Sequence, residues 1–241
     1  MTKNRLDAEL TARGLAPTRS QAESWIKLGK VTVDGKVVTK SGHFVREDSE
    51  LKLLADEQYV SRAGLKLASV AKLLNLNFKD KVVLDVGSST GGFTDYSLQH
   101  GAKKVYAVDV GTDQLHPSLQ DDPRIELHEK TDIRDFTLAA ADRPNIVVID
   151  VSFISLRDIL PHLATRLVNK DTQIVAMVKP QFEAGKHQTN KGIIKNDGVR
   201  RQILKDFEFW AKDLFMIEDK RDSEVAGSKG NRERFYLLKS L

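Results

Sequence analysis

The feature that most constrains this chain is a repeated alternation, beginning near residue 81, of short β-branched runs with stretches long enough to carry a helix. The runs are Lys81 to Val86, Lys103 to Val108, Ile125 to His128, Asn145 to Ile149 and Thr172 to Val178. Near-continuous apolar strands belong to sheets buried on both faces, and parallel neighbours require long crossovers, so the pattern is that of βαβ units. Helices are expected near 62–75, 91–100, 155–168 and 197–212. Two further strands, Phe215 to Glu218 and Arg234 to Leu238, are joined by a polar, Gly-containing loop too short for a crossover helix, so they are expected to be antiparallel. The predicted architecture is α/β: a doubly wound, mostly parallel seven-stranded sheet with its last strand reversed at one edge.

The amino-terminal residues follow a different pattern. Residues 1–55 hold ten Lys and Arg against seven acids, an excess of three out of a chain total of +4. Charge concentrated in this way suits a nucleic-acid contact module, although a solvated charged face remains the alternative. Leu6, Leu10 and Leu15 predict a short helix ending near Gly14, and Thr18 or Ser20 caps a second through Trp25, Ile26 and Leu28. Val31 and Val33, then Val37 and Val38, flank Asp34-Gly35, a type I′ hairpin signal, and Glu50 to Leu54 reads as a further strand. The expected organisation is a module at 1–55, a linker at 56–60 and a larger domain at 61–241. Arg5-Leu6-Asp7, Thr18 to Ala22, Ile26 to Gly35 and Lys40 resemble the S4 RNA-binding domain. That resemblance implies RNA phosphate contacts from Arg5, Arg19, Lys27 and Lys30.

Composition removes several alternatives. With no Cys there is no disulfide scaffold, thiolate nucleophile or Cys-ligated metal. The six His are scattered without a metal-binding spacing, so no metal is expected. The start, MTKNRLDAEL, has no apolar signal core, and the longest apolar runs fall far short of a spanning helix. A soluble cytoplasmic protein without a membrane partner is therefore expected, with a monomer as the default and oligomeric state open. Lys186, Lys191, Lys195, Arg200 and Arg201 form a basic run readable either as a phosphate track or as a solvated face.

The first long strand runs into Asp85-Val-Gly87-Ser88-Ser-Thr-Gly91-Gly92-Phe93-Thr. In an open parallel sheet the ligand crevice lies at the carboxyl ends of the strands, which is where this loop must sit. Its spacing is neither G-x-G-x-x-G nor a P-loop, which argues against NAD and ATP. Asp109, 22 residues after Gly87, ends the second strand where a carboxylate can accept from a ribose diol. The loop resembles motif I of S-adenosylmethionine-dependent methyltransferases. The resemblance implies a site built from Asp85, Gly87, Ser88, Gly91, Gly92 and Phe93 near the methionine portion, Asp109 at the ribose and Asp132 at the adenine. For Asp132 a capping role is the alternative.

Asp150 and Lys179 follow the fourth and fifth strands and emerge at the same sheet edge. A Lys at the end of a buried strand is costly unless paired or functional, and Asp150 is its natural partner. Lys66, Asp150, Lys179 and Glu233 together resemble the Lys-Asp-Lys-Glu tetrad of FtsJ-like ribose 2′-O-methyltransferases. With the amino-terminal module, and with Val151 to Leu156, Lys179 to Glu183 and Lys191 to Ile194, the whole chain is similar to the TlyA (haemolysin A) family. That resemblance implies a Rossmann-like, S-adenosylmethionine-dependent methyltransferase acting on a cytidine ribose of ribosomal RNA or ribosomal subunits. A ribose hydroxyl must be placed in line with the methyl and relieved of its proton, and Lys179 is the expected base. Burial, Lys66 and the sulfonium favour a neutral amine there, whereas Asp150 opposes it, and a Lys179 that only orients the hydroxyl is the alternative. Two other functions are weighed: an RNA-binding assembly factor without catalysis, and a membrane-lytic protein, which the mixed-charge helices fit poorly.

Overall fold

The computed structural model describes residues 3–241 apart from 17–18, 28, 55–58, 186–188, 190–191, 195, 226 and 228–229, and apart from the side chains of Ser20, Gln21, Ser24 and Lys27. The chain divides into two compact units, Met1–Arg62 and Ala63–Leu241.

The first unit contains β1 (Lys3–Arg5), α1 (Leu6–Ala12), α2 (Arg19–Lys27), β2 (Val31–Val33), β3 (Lys36–Val37), β4 (Phe44–Arg46) and β5 (Leu51–Leu53). Strand β2 pairs antiparallel with both β3 and β5, and β1 pairs with β4. The β2–β3 turn has Asp34 at φ 49° and Gly35 at φ 78°, the paired positive φ of a type I′ turn. Leu6, Leu10, Trp25, Ile26 and Val31 are fully buried and form the core between helices and strands. The β1–β4 ladder has no signal in the sequence because only Val45 of its six residues is buried. Arg13 closes this side, donating to Ser49 O at 2.7 Å and Glu47 O at 2.8 Å. The Thr18 cap and the 56–58 stretch of the expected linker lie outside the described residues.

The second unit contains α3 (Arg62–Ala71), β6 (Val82–Val86), α4 (Gly92–Gln99), β7 (Lys104–Val108), α5 (Pro117–Gln120), β8 (Ile125–His128), β9 (Ile146–Ile149), α6 (Leu160–His162), β10 (Gln173–Val178), α7 (Pro180–Glu183), α8 (Asp197–Ala211), β11 (Phe215–Asp222) and β12 (Arg234–Ser240). Its sheet has the order β11-β12-β10-β9-β6-β7-β8. Neighbours from β10 to β8 are parallel, while β12 is antiparallel to both β10 and β11. The reversed strand is the last in the chain, and it lies one place in from the edge rather than at it. Alternating residues of the strands bury opposite faces. Leu84, Val86, Val147, Ile149, Ile174 and Ala176 share a core cluster with Leu160, Leu163, Leu204 and Phe207. On the other face Phe93 of α4 packs against Phe235, ring centroids 6.1 Å apart.

Two elements differ from expectation. The helix predicted over 155–168 is broken into a 3₁₀ turn (Leu156–Asp158), α6 and a π turn (Leu163–Leu167), because Pro161 can stand only at a helix start. Strand β11 runs four residues beyond Glu218 through Asp219, Lys220, Arg221 and Asp222, with a register shift between Ile217 and Asp219. A charged, bulged edge strand protects the sheet from further pairing, and its polar sequence reads as loop.

Candidate active site

A cavity of about 350 Å³ opens at the carboxyl ends of β6, β7 and β9, lined by Gly87, Asp109, Val110, Asp132, Ile133 and Asp150 among others. Gly87 stands at φ +80°, and a Cβ there would lie 2.9 Å from Asp150 O, so only glycine lets the loop cross the end of β9. Asp109 is held by the loop it faces, accepting from Ser89 N at 2.8 Å and Gly111 N at 2.7 Å. Asp132 accepts from Arg134 N at 2.9 Å and from the Arg134 guanidinium at 2.6 and 2.9 Å. Arg134 holds its carboxyl down at about 2.

The remaining residues of the expected cofactor loop do not line the cavity. Asp85 and Ser88 are buried beside it. Asp85 Oδ2 accepts from Thr94 Oγ1 at 2.7 Å, while Asp85 Oδ1 and Ser88 Oγ find no hydrogen-bond partner among the described residues. Burial pushes the Asp85 carboxyl up to about 7, against the Thr94 hydrogen bond and with help from the Asp150 charge. Gly91 and Gly92 start α4, with Gly91 against Leu115 and Leu119. Phe93 faces the core, because the first turn of α4 directs its ring at Phe235. Sequence reasoning assigned no cofactor contact to Ser89, Val110, Gln114 or the Val151 to Ile154 turn, which it had singled out only for its resemblance, and all of these line the cavity.

The four residues singled out as a tetrad form two ion pairs. Lys66 of α3 meets Glu233 at 2.5 Å, and Lys179 meets Asp150 at 2.5 Å. Sheet register explains the grouping: Val178 pairs with Arg234, so one further step sets Lys179 across from Glu233, while Asp150 leaves the adjacent strand. Lys179 also donates to Ser152 Oγ at 2.8 Å, a contact no motif announced. Gly227 packs on the carboxylate of Glu233, where a Cβ would come within 2.8 Å of Oε1. Asn231 staples the Gly192 to Ile194 segment, donating to Gly192 O at 2.9 Å and accepting from Ile194 N at 3.0 Å.

In the first unit, Arg5 and Arg19 converge on the buried carboxylate of Asp7, at 2.7 and 3.2 Å. Hydrogen bonds from Arg5, then Arg19, hold that carboxyl below its usual range against its burial. Lys30 is exposed, and the Lys27 side chain lies outside the described residues. Of the basic run, Lys186, Lys191 and Lys195 are likewise outside. Arg200 is buried and spent on Asp222 at 2.6 Å and Arg232 O at 3.0 Å, so it offers no free cation to a phosphate. Among the described residues no group of three His, Asp or Glu could hold a metal ion, and no helix is long and apolar enough to cross a membrane.

A doubly wound sheet of this order, with a glycine turn after its first strand and an acidic residue after its second, is the α/β fold of methyltransferases. The chain belongs to the FtsJ-like methyltransferase family, whose model matches residues 59–240, and it carries an S4 domain over residues 4–51. It is 43% identical to the rRNA methyltransferase candidate YqxC of Bacillus subtilis, covering 98% of this chain and 85% of that one. The 16S/23S rRNA (cytidine-2′-O)-methyltransferase TlyA of Mycobacterium tuberculosis is 38% identical, covering 98% and 90%. A solved chain from Streptococcus thermophilus, described as a candidate hemolysin, matches with a TM-score of 0.73 at 40% identity, covering 100% and 89%.

Proposed function

We propose that this enzyme is a ribosomal RNA methyltransferase that transfers a methyl group from S-adenosylmethionine to the ribose 2′-hydroxyl of a cytidine. The observation that carries the reading is the pair of buried Lys–carboxylate contacts at the sheet edge, beside a cavity of nucleoside size. The donors and acceptors in and beside the cavity fit the cofactor. Asp85 Oδ1 and Ser88 Oγ, buried without partners, suit the methionine ammonium. Asp109 suits the ribose diol, and Val110 and Ile133 supply apolar walls for the adenine. When bound, S-adenosylmethionine supplies a methyl made electrophilic by its sulfonium.

The protein's own groups do the rest. Lys179, as a neutral amine with one N–H on Asp150 and one on Ser152, takes the 2′-hydroxyl proton on its lone pair as the oxygen bonds the methyl and the methyl–sulfur bond breaks. Glu233 anchors Lys66 in the site. Phe153 is 92% exposed, with its ring 5.2 Å from Phe182, and presents an aromatic face to a base splayed out of the RNA. The S4 module, 1–55, joined through 56–60 to the catalytic domain, 61–241, supplies phosphate contacts from Arg5, Arg19, Lys27 and Lys30.

The test is nucleoside mass spectrometry of rRNA from unmodified ribosomal subunits after incubation with the protein and S-adenosylmethionine. 2′-O-methylcytidine is expected. A base-methylated nucleoside, or no methylated product while cofactor and subunits bind, contradicts the reading.

A further inference from the structure

The turns that follow β9 and β10 are joined at three points. Lys179 meets Asp150 and Ser152, and Phe182 packs against Phe153. The third point is Glu183, the last residue of α7. Its Oε2 accepts from Ser155 Oγ at 2.6 Å and its Oε1 from Leu156 N at 2.7 Å, while Arg157 Nε stands 3.7 Å away. The Glu183 side chain is 1% exposed. A carboxylate so placed is tolerated only when its oxygens are matched, and these bonds match both. Burial nonetheless raises the Glu183 carboxyl above its usual range.

The turn that Glu183 grips is strained. Phe153 stands at φ +66°, a conformation that a bulky residue keeps only where its surroundings over-determine it. Asp150 fixes the near end of that turn through Lys179, and Glu183 fixes the far end through Ser155 and Leu156.

We propose that Glu183 is a positioning residue of the reaction centre: by clamping Ser155 and Leu156 it holds the 151–155 turn where Ser152 and Asp150 both reach the Lys179 amine. It touches no reacting atom. The proposal rests on Lys179 serving the methyl transfer, and the test keeps the two claims apart. A displacement of about 1 Å at a reacting group costs on the order of 100-fold in rate, so loosening this turn acts on chemistry more than on binding.

The experiment uses the full chain with S-adenosylmethionine and unmodified ribosomal subunits, comparing Glu183→Ala, Glu183→Gln, Ser155→Ala, Ser152→Ala and the Glu183→Ala/Ser152→Ala pair. Single-turnover methyl transfer falls at least about tenfold in Glu183→Ala and less in Ser155→Ala, with cofactor and subunit Kd within about twofold of wild type. Glu183→Gln, which can still accept from Leu156 N, recovers most of the rate. The paired variant is no slower than Glu183→Ala by more than about twofold, since both changes act on one contact. Lys179 acylation by an amine-reactive reagent, read by mass spectrometry against Lys66, rises in Glu183→Ala and Ser155→Ala. Unchanged Lys179 labelling, or multiplicative rate losses in the paired variant, overturns the proposal. If Glu183→Ala does not fold, Ser155→Ala decides by the same readouts. If wild type transfers no methyl group, the labelling alone decides the clamp, and the functional reading falls separately.

Discussion

The Lys66–Glu233 pair allows stability and catalysis to be separated by mutation. The contact is 2.5 Å, and the two side chains are 10% and 3% exposed. Removing one partner strands the other charge in the interior, a loss of about 3–5 kcal/mol. At about 2–4 °C per kcal/mol for a domain of this size, Lys66→Met or Glu233→Leu should lower Tm by about 6–20 °C. Replacing both by apolar side chains removes the stranded charge. Leu65, Leu67 and Val70 beside Lys66 and Phe235 beyond Glu233 are buried, so the double variant should return to within about 3 °C of wild type. Methyl transfer should not return: each single variant and the double variant should stay at least about 100-fold below wild type. Differential scanning calorimetry and single-turnover transfer on the same preparations measure both. A double variant that recovers both Tm and activity would make the pair a structural strut. One no more stable than the singles would refute the electrostatic reasoning itself.

Four further outcomes are expected. Asp85, with its carboxyl pushed up to about 7, favours the folded state when protonated. Its contribution is therefore complete below its unfolded value near 3.8 and is lost as pH rises through about 7, and thermal melts of Asp85→Asn should lack that decline. Calorimetry in buffers of different ionisation enthalpy should show cofactor binding releasing a proton near pH 6–7 in wild type and none in Asp85→Asn, as the ammonium claims the carboxylate. Gly87→Ala, which drives a Cβ to 2.9 Å from Asp150 O at φ +80°, should weaken cofactor binding at least about tenfold by calorimetry, and an unchanged Kd would remove the loop from the site. Arg19→Ala should reduce the salt slope of rRNA binding by about one charge, whereas an unchanged slope would leave Arg19 as only a partner of Asp7.

Most of the parallel sheet was legible because β6, β7, β9 and β10 are buried on both faces and therefore read as nearly uninterrupted apolar runs. Strand β11 was cut short because its charged half lies on an edge, where pairing demands no apolar residue. The position of β12 depends on pairing with β10, a contact between distant segments that the loop length alone does not dictate. At the site, Asp150 and Lys179 stood out as charges at the ends of apolar runs. Nothing local joins Lys66 to Glu233: the register sets Glu233 beside Lys179, helix α3 brings Lys66 to it, and only a resemblance named them together. Phe93 is read as facing the ligand because it stands in a glycine loop, and in the structure the first turn of α4 sets its ring 6.1 Å from that of Phe235. Ser152 and Glu183 lay in segments that carry the family resemblance, but their roles were not readable, since their contacts exist only once the turns after β9 and β10 meet.

The most direct test of the reaction centre is transfer of radiolabelled methyl from S-adenosylmethionine to unmodified ribosomal subunits by wild type and Lys179→Ala, with cofactor and subunit binding measured for both. Label in rRNA ribose from wild type, and none from a Lys179→Ala protein that binds both partners as well, is the expected result. Equal labelling by the two proteins would contradict the role given to Lys179, and no labelling by either would leave an RNA-binding protein that keeps the methyltransferase fold.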